Sequence, residues 1–520
     1  MRPYVALIMA GILSAVPALK SEAQAPDDAA QPEVFVAPVV PIVDRELEIR
    51  LFNAPAGREL TFAVSLEGKA VFEGQAVPAD DGRVAATWTP TETGFYTAKF
   101  DLGDGRAVTR EFPVVWTDLY FVTWGVLRPD EIERVRYVLS HAIVAGKTDR
   151  SPMSESIPML KNRGAKLIKW TGGSRGVPKG PLDDETIDRL VEGWSAPLRD
   201  GYDGIFMDEF GAWPTPGAIK QLAGLHRAFL KLRKENPDAV IMPANGGALL
   251  REQGSTYKAA EAVALLETYP QYITEFMASH SIKQHMDYRI MVARNTDLIH
   301  YGRGRHTALI LLGTRASRTA HEEPVEPELE DYVRYIKKKA PEMRGIAFYG
   351  GRYGTMIETQ DRLCLEYYIK PVVDVRAIKF SNYAPRVGEP VDVLPEIHNL
   401  GGMTAKGVEV NLFAGRPGTG RRSLVGSVEV ERIGCGFRDI EYKGDDTAPS
   451  REPEFQELDG NTYAVYPTGR TQVFLARTTR KVTWTPAQKG YYRITAEIGP
   501  PEDDQHTILD GALEAQILVR

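Results

Sequence analysis

A multidomain chain with a central (β/α)₈ barrel and an immunoglobulin-like β-sandwich at each end is the fold the sequence predicts, and three observations predict it. Residues 116–370 carry eight short apolar segments, several of them separated by amphipathic helical stretches, within about 255 residues, the size of such a barrel. The regions on either side instead alternate apolar and polar residues in short runs divided by turn signals, the pattern of a sandwich. One stretch is nearly duplicated between the two ends. Thr87-Trp88-Thr89-Pro90 is followed after three residues by Gly94-Phe95-Tyr96, and Thr483-Trp484-Thr485-Pro486 is followed after three by Gly490-Tyr491-Tyr492. Equal spacing of so specific a string marks two related units.

Taken in chain order, residues 1–25 have the form of an export signal. Arg2 supplies the positive start, Val5 to Leu19 is an apolar run, and small residues follow. Cleavage after Ala23 is preferred to cleavage after Ala25, because Pro26 follows the second site. The alternative, an uncleaved anchor, is disfavoured because the run is shorter than the ~20 residues a span needs. The expected localisation is outside the cytoplasm, periplasmic or extracellular, with no membrane insertion after signal removal. Residues 26–41, rich in Pro, Ala and Asp, read as a flexible leader. Residues 42–115 form the first expected sandwich, with Leu47–Leu51, Leu60–Val64 and Val84–Trp88 as strands and Asp80-Asp81-Gly82 and Gly103-Asp104-Gly105 as turns.

The barrel is expected over 116–370. Its strand candidates are Leu119–Trp124, Ala142–Ala145, Lys166–Trp170, Gly204–Met207, Ala239–Met242, Ala262–Leu266, Ala308–Leu312 and Gly345–Tyr349. Most lack strict alternation, as strands buried on both faces should. Helices are expected at Asp130–Leu139, Asp184–Leu198, Ile219–Lys234 and Glu328–Lys339. A doubly wound open sheet is the competing architecture, but no glycine-rich dinucleotide fingerprint follows the first strand. Residues 371–520 form the second sandwich. Within it, Gly388-Glu389-Pro390-Val391 and Asn399-Leu400-Gly401-Gly402 resemble the adhesion-type sandwich modules appended to bacterial secreted enzymes.

Composition narrows the function classes. The chain has 520 residues, 43% hydrophobic and 26% charged, with a net charge of −7 built from interspersed signs. No basic stripe for nucleic acid or an anionic membrane is present. The two cysteines, Cys364 and Cys435, fall in different expected domains, so spacing supports no disulfide and no cysteine-based zinc site. His280 with His285, and His300 with His306, lack the spacing and third ligand of a metal site. No cofactor is expected. Gly172-Gly173-Ser174-Arg175-Gly176, a flexible loop after the third strand, lacks the Lys-Ser/Thr of a phosphate loop.

Chemistry is expected where barrel strands end. The fourth strand runs Gly204-Ile205-Phe206-Met207 into Asp208 and Glu209, two carboxylates at a dry rim, where unused charge costs stability. Asp208 shares the parity of Phe206 and Glu209 that of Met207, so one of the two faces the mouth and parity alone leaves open which. Asp203, before the strand, reads as a turn residue. The sixth strand ends Ala264-Leu265-Leu266-Glu267. Glycosidic cleavage needs one carboxylate as nucleophile or base and a second kept protonated by apolar surroundings. The more apolar setting of Glu267 makes it the acid/base candidate, with Asp208 the nucleophile. Trp124, Trp170, Trp213, Tyr269 and Tyr349 offer flat faces for sugar rings, and Asp118, Lys147, Asn245 and Arg352 offer hydrogen bonds.

The stretch Tyr202-Asp203-Gly204-Ile205-Phe206-Met207-Asp208 resembles the fourth-strand motif of the α-galactosidase-like superfamily of barrel glycosidases, which includes bacterial dextranases and α-polygalactosaminidases. The resemblance covers the barrel, about half the chain. It implies a nucleophilic Asp ending strand four, matched by Asp208, and an acid/base carboxylate from strand six, where Glu267 falls. Glu209 departs from that pattern. In the larger cellulase-like group a strand-four Glu is the acid/base, with its partner on strand seven. Here strand seven ends Leu312-Gly313-Thr314-Arg315 without a carboxylate. The expectation is therefore a secreted, retaining glycosidase acting on a poly- or oligosaccharide, the alternative being a degenerate barrel that binds glycans or a surface partner without cleaving them.

Overall fold

The computed structural model describes residues 31–520 except 56, 104, 126, 146–152, 173–176, 179, 209, 211–215, 247–248, 269–281, 297, 300–306, 314–325, 350–355, 436–438, 441–453, 459–460, 466–471, 474–475 and 502–504. The expected export signal thus lies outside the described residues. No helix among them is long and apolar enough to cross a membrane.

Each of the eight apolar segments forms a parallel strand of one closed barrel. These are β1 (Tyr120–Trp124), β2 (His141–Val144), β3 (Lys166–Trp170), β4 (Gly204–Met207), β5 (Val240–Asn245), β6 (Val263–Thr268), β7 (Thr307–Gly313) and β8 (Gly345–Tyr349), and β8 pairs with β1 to close the ring. After each strand in turn comes one of α1 (Pro129–Arg134), α2 (Met153–Asn162), α3 (Asp184–Arg199), α4 (Pro216–Glu235), α5 (Arg251–Ala259), α6 (Ile282–Asn295), α7 (Glu326–Lys339) and α8 (Ile357–Cys364). The strands read as unbroken apolar runs because both faces are dry. Alternate residues such as Val122, Ile168, Phe206, Met242, Leu265 and Leu309 fill the barrel interior. Their neighbours, such as Phe121, Leu167, Met207 and Leu266, pack beneath the helices.

Local signals set the element ends. The Asp183 carboxylate caps α3 by accepting from the Thr186 backbone N–H at 2.9 Å. Asp203 has the structural part expected of it, its carboxylate accepting from Leu167 N–H at 2.8 Å and tying the start of β4 to β3. The expected helix Asp130–Leu139 is interrupted. It divides into α1 and a short 3₁₀ turn, Tyr137–Ser140. The Asp361 carboxylate accepts from both Arg136 and Val138 N–H at 2.9 Å, replacing the helical bonds lost at the break.

The N-terminal unit has two facing sheets. One is Glu33–Ala37, Leu47–Phe52 and Val84–Trp88; the other is Lys69–Ala76, Leu60–Leu66, Gly94–Asp101 and Ala107–Val114. The expected leader needs correcting here, since Glu33–Ala37 within it pairs antiparallel with Leu47–Phe52. Its Val34 and Val36 enter the sandwich core; burial of those two side chains outweighs the loosening effect of the flanking prolines. In the C-terminal unit, a four-stranded sheet of Arg422–Ile433, Ala405–Gly415, Gly490–Ile498 and Ala512–Val519 faces a second sheet built on Val372–Phe380 and Val391–Asn399. A hairpin, Glu454–Leu458 with Asn461–Val465, widens that second sheet. Both cysteines are buried, and neither forms a disulfide with another described residue.

The duplicated string builds the same corner twice. Trp88 meets Tyr96 edge-on at 5.2 Å, and Trp484 meets Tyr492 edge-on at 5.0 Å. The Tyr96 hydroxyl donates to Glu92 O at 2.8 Å, and Tyr492 donates to Gln488 O at 3.2 Å. This is the tyrosine corner of immunoglobulin-like sandwiches.

Both sandwiches touch the barrel away from its strand C-termini. Gly402 N–H donates to Tyr368 O at 2.8 Å and its carbonyl accepts from Trp116 N–H at 3.1 Å. The backbone approaches so closely there that a Cβ on Gly401 would lie 1.9 Å from Lys370 O. Asp118 belongs to this end as well. It precedes β1 and pairs with Arg45 at 3.0 Å, which corrects its expected contribution to a substrate site.

Candidate active site

The rim at the strand C-termini collects the described candidates. On β4, Phe206 belongs to the interior and Met207 to the helix-facing layer. Asp208 follows in a turn directly after the strand and is half-buried. On β6, Leu265 is interior and Leu266 helix-facing. Glu267 therefore continues the interior row, is only 5% exposed, and stands in register with Leu311 of β7. One strand, β5, separates the two carboxylate-bearing strands.

Gly246, just after β5, forms part of the wall around Glu267. A Cβ at Gly246 would come within 2.9 Å of Glu267 Oε2, so the carboxylate rests against bare backbone. On its other side, the Gly246 carbonyl accepts from Arg289 Nη2 at 2.6 Å. Arg289 is 2% exposed and sits on the apolar stripe of α6 with Met286, Ile290 and Ala293. Sequence reading overlooked this pair. An arginine in phase with three buried apolar residues was the available signal, and it indicates a guanidinium turned inward.

Across the rim is an aromatic wall. Trp124, ending β1, contacts Tyr349 of β8 at 4.4 Å and Phe206 at 4.6 Å between ring centroids, with Trp170 of β3 at 6.5 Å. Trp170 is 37% exposed and presents its ring to solvent. Strand register produces the cluster, because Trp124 is paired with Tyr349 and Trp170 with Phe206. Phe206 is thus both the floor under Trp124 and the interior residue two positions before Asp208.

Asn245 is a correction. It follows the interior Ala244 and so turns outward; it is 0% exposed, and its amide donates weakly to Phe210 O at 3.5 Å. The Tyr257 hydroxyl, whose pKa burial pushes up, donates to the same carbonyl at 3.2 Å. Asn245 therefore belongs to the packing between β5 and α5 and not to the interior row that faces the mouth. Glu209, Lys147, Trp213, Tyr269 and Arg352 lie outside the described residues. No group of three or more potential metal ligands occurs among the described residues.

No protein-family model matches the chain, and no curated protein matches it. Among solved structures, a Paenibacillus sp. cycloisomaltooligosaccharide glucanotransferase complexed with cycloisomaltoheptaose is similar over 87% of this chain and 71% of its own, at 9% identity and a TM-score of 0.33. A family 39 glycoside hydrolase from the gut symbiont Bacteroides cellulosilyticus is similar over 85% of this chain and 100% of its own, at 10% identity and a TM-score of 0.30. The CARDB domain of a Pyrococcus furiosus protein, in complex with di-metal ions, matches 29% of this chain and 91% of its own, at 16% identity and a TM-score of 0.17. At such identities and TM-scores no residue role passes from these proteins to this one.

Proposed function

We propose that the protein is an exported glycoside hydrolase that cleaves a poly- or oligosaccharide by a retaining, two-carboxylate mechanism. The observation that carries the reading is the buried Glu267 on the interior row of β6, with Asp208 directly after β4 on the other side of β5, at a mouth walled by Trp124, Trp170 and Tyr349. In this mechanism Glu267 gives its proton to the departing glycosidic oxygen as Asp208 attacks the anomeric carbon. The resulting glycosyl ester is opened by a water whose proton returns to Glu267. The aromatic wall supplies flat apolar area on which pyranose rings stack while hydroxyls stay hydrated. The enclosure of Glu267 among Leu265, Leu311 and the Gly246 backbone excludes water from the bond under attack. Export rests on the character of residues 1–25.

The test is turnover of a polysaccharide panel by the mature protein and by its Asp208→Asn and Glu267→Gln variants. Each variant is expected to lose roughly a thousandfold or more in kcat. Proton NMR of the first-formed anomer is expected to show retention; inversion would overturn that part of the mechanism. Full activity in both variants would sink the carboxylate assignment. Saturable glycan binding by a wild type that turns over nothing would favour the non-catalytic barrel.

A further inference from the structure

Three arginines converge where the N-terminal sandwich meets the underside of the barrel. Arg110 comes from the last sandwich strand, Arg136 from the segment after α1, and Arg163 from the end of α2. They gather around Phe35, a residue of the strand Glu33–Ala37. The Arg163 and Arg110 guanidinium carbons lie 5.1 and 5.8 Å from the Phe35 ring centroid. All three arginines line a cavity of about 30 Å³ together with Phe35, Glu111 and Tyr137. That volume admits a small ion or a pair of waters.

Positive charge in this cavity is only partly answered. Arg163 is anchored by Ile132 O at 2.6 Å, and Glu33 lies 3.6 Å from its Nη2. Arg136 donates to Glu111 O at 3.4 Å. Arg110 is half-buried, and among the described residues no carboxylate forms an ion pair with it. Burial first, then the charges of Arg136 and Arg163, pull the Arg110 pKa down to about 10, with Glu33 offsetting only part. Burial also pushes the Tyr137 phenol up, so it remains a donor beside the arginines.

We infer that this cavity is a binding site for one free inorganic tetrahedral oxyanion, phosphate or sulfate, held by Arg110, Arg136 and Arg163. Guanidinium forks match the oxygen geometry of such ions, and a dianion neutralises two like charges that the fold holds close. The ion then bridges one strand of the sandwich to two segments of the barrel, so that its binding strengthens their docking. The carboxylates at the strand C-termini take no part, and the site stands or falls independently of any glycosidase activity.

Calorimetric titration of the full chain with inorganic phosphate, and separately with sulfate, in a chloride buffer of matched ionic strength tests the site. One saturable equivalent is expected, with a rise in unfolding temperature of about 2 °C or more at saturation. Arg110→Gln and Arg136→Gln, both at solvent-reachable positions, are each expected to weaken binding at least tenfold and to abolish that rise. Absence of saturable binding, or an equal temperature rise in wild type and both variants, overturns the proposal, since sulfate and phosphate stabilise proteins generally. Glucose 6-phosphate is expected not to compete at equal concentration; competition would show a site open to phosphate esters and overturn the assignment to a free ion.

Discussion

At the residue scale, Glu267 depends on what its neighbours lack as much as on what they offer. Its carboxylate rests against Gly246, where a methyl group would come within 2.9 Å of Oε2. Gly246→Ala therefore pushes the carboxylate from its place while leaving strand and helix intact. A displacement of about 1 Å at a reacting group costs on the order of a hundredfold in rate. With Glu267 as the proposed acid/base, the expected outcome is a kcat lower by roughly 10- to 100-fold with a displaced pH optimum and an unfolding midpoint close to wild type, checked by kinetics across pH and by denaturant titration. An unchanged pH profile would mean that the Gly246 backbone does not set the position of Glu267. Asn245, one residue earlier, shows how sharply a strand sorts its side chains. The pleat sends it into the layer behind the barrel, where Phe210 O accepts its amide.

At the element scale, the two tyrosine corners pose a controlled comparison. Tyr96 is 2% exposed and bonds Glu92 O at 2.8 Å, whereas Tyr492 is half-buried and bonds Gln488 O at 3.2 Å. Burial, followed by the nearby Glu92 charge, pushes the Tyr96 phenol up to about 12, so it is a donor at any working pH. Removing a buried donor also leaves its acceptor unsatisfied, at a cost of about 1–3 kcal/mol. Tyr96→Phe should destabilise its sandwich by about 1–2 kcal/mol and Tyr492→Phe by less, as read from urea unfolding. The repeat was legible in the sequence because a corner is local, its aromatic, glycine and carbonyl lying within nine residues from Trp88 to Tyr96. The break between α1 and the following 3₁₀ turn was not. It is held by Asp361, more than 200 residues away in the chain.

At the scale of the whole molecule, the barrel is joined to the C-terminal sandwich through α7 and the segment that follows α8. Lys338 pairs with Asp510, and Arg376 donates to Lys338 O at 3.3 Å. Beside this junction Lys337 is fully buried, with its ammonium 4.5 Å from the Tyr368 ring centroid. Burial pulls its pKa from 10.5 to about 7, and Glu342 offsets part of that. The unfolded chain takes up this proton at a higher pH than the folded chain. Stability is thus lost as pH falls from 10.5 to about 7, and it recovers on raising pH through the same window. Lys337→Met should remove that slope and stabilise the protein at pH 7 by about 1–4 kcal/mol, as well-packed apolar replacements of buried charges do. Urea unfolding of wild type and variant at pH 7 and 9.5 checks it; the gap between the two should narrow at the higher pH.

The sequence by itself determined the eight barrel strands, the two sandwiches and the strand ends at which chemistry is expected. Each is written in a local period, and burying an apolar face requires that period wherever the element finally packs. Tertiary structure alone decided which rim residues meet. Closure of the ring brings Trp124 onto Tyr349 although 225 positions separate them, and pleat phase turned Glu267 inward and Asn245 away. The same distinction explains the leader. Its prolines describe a loose chain, but Val34 and Val36 find their partners only after a sandwich edge has formed to receive them. A contact between distant segments has no period of its own, so it leaves no mark in the order of residues.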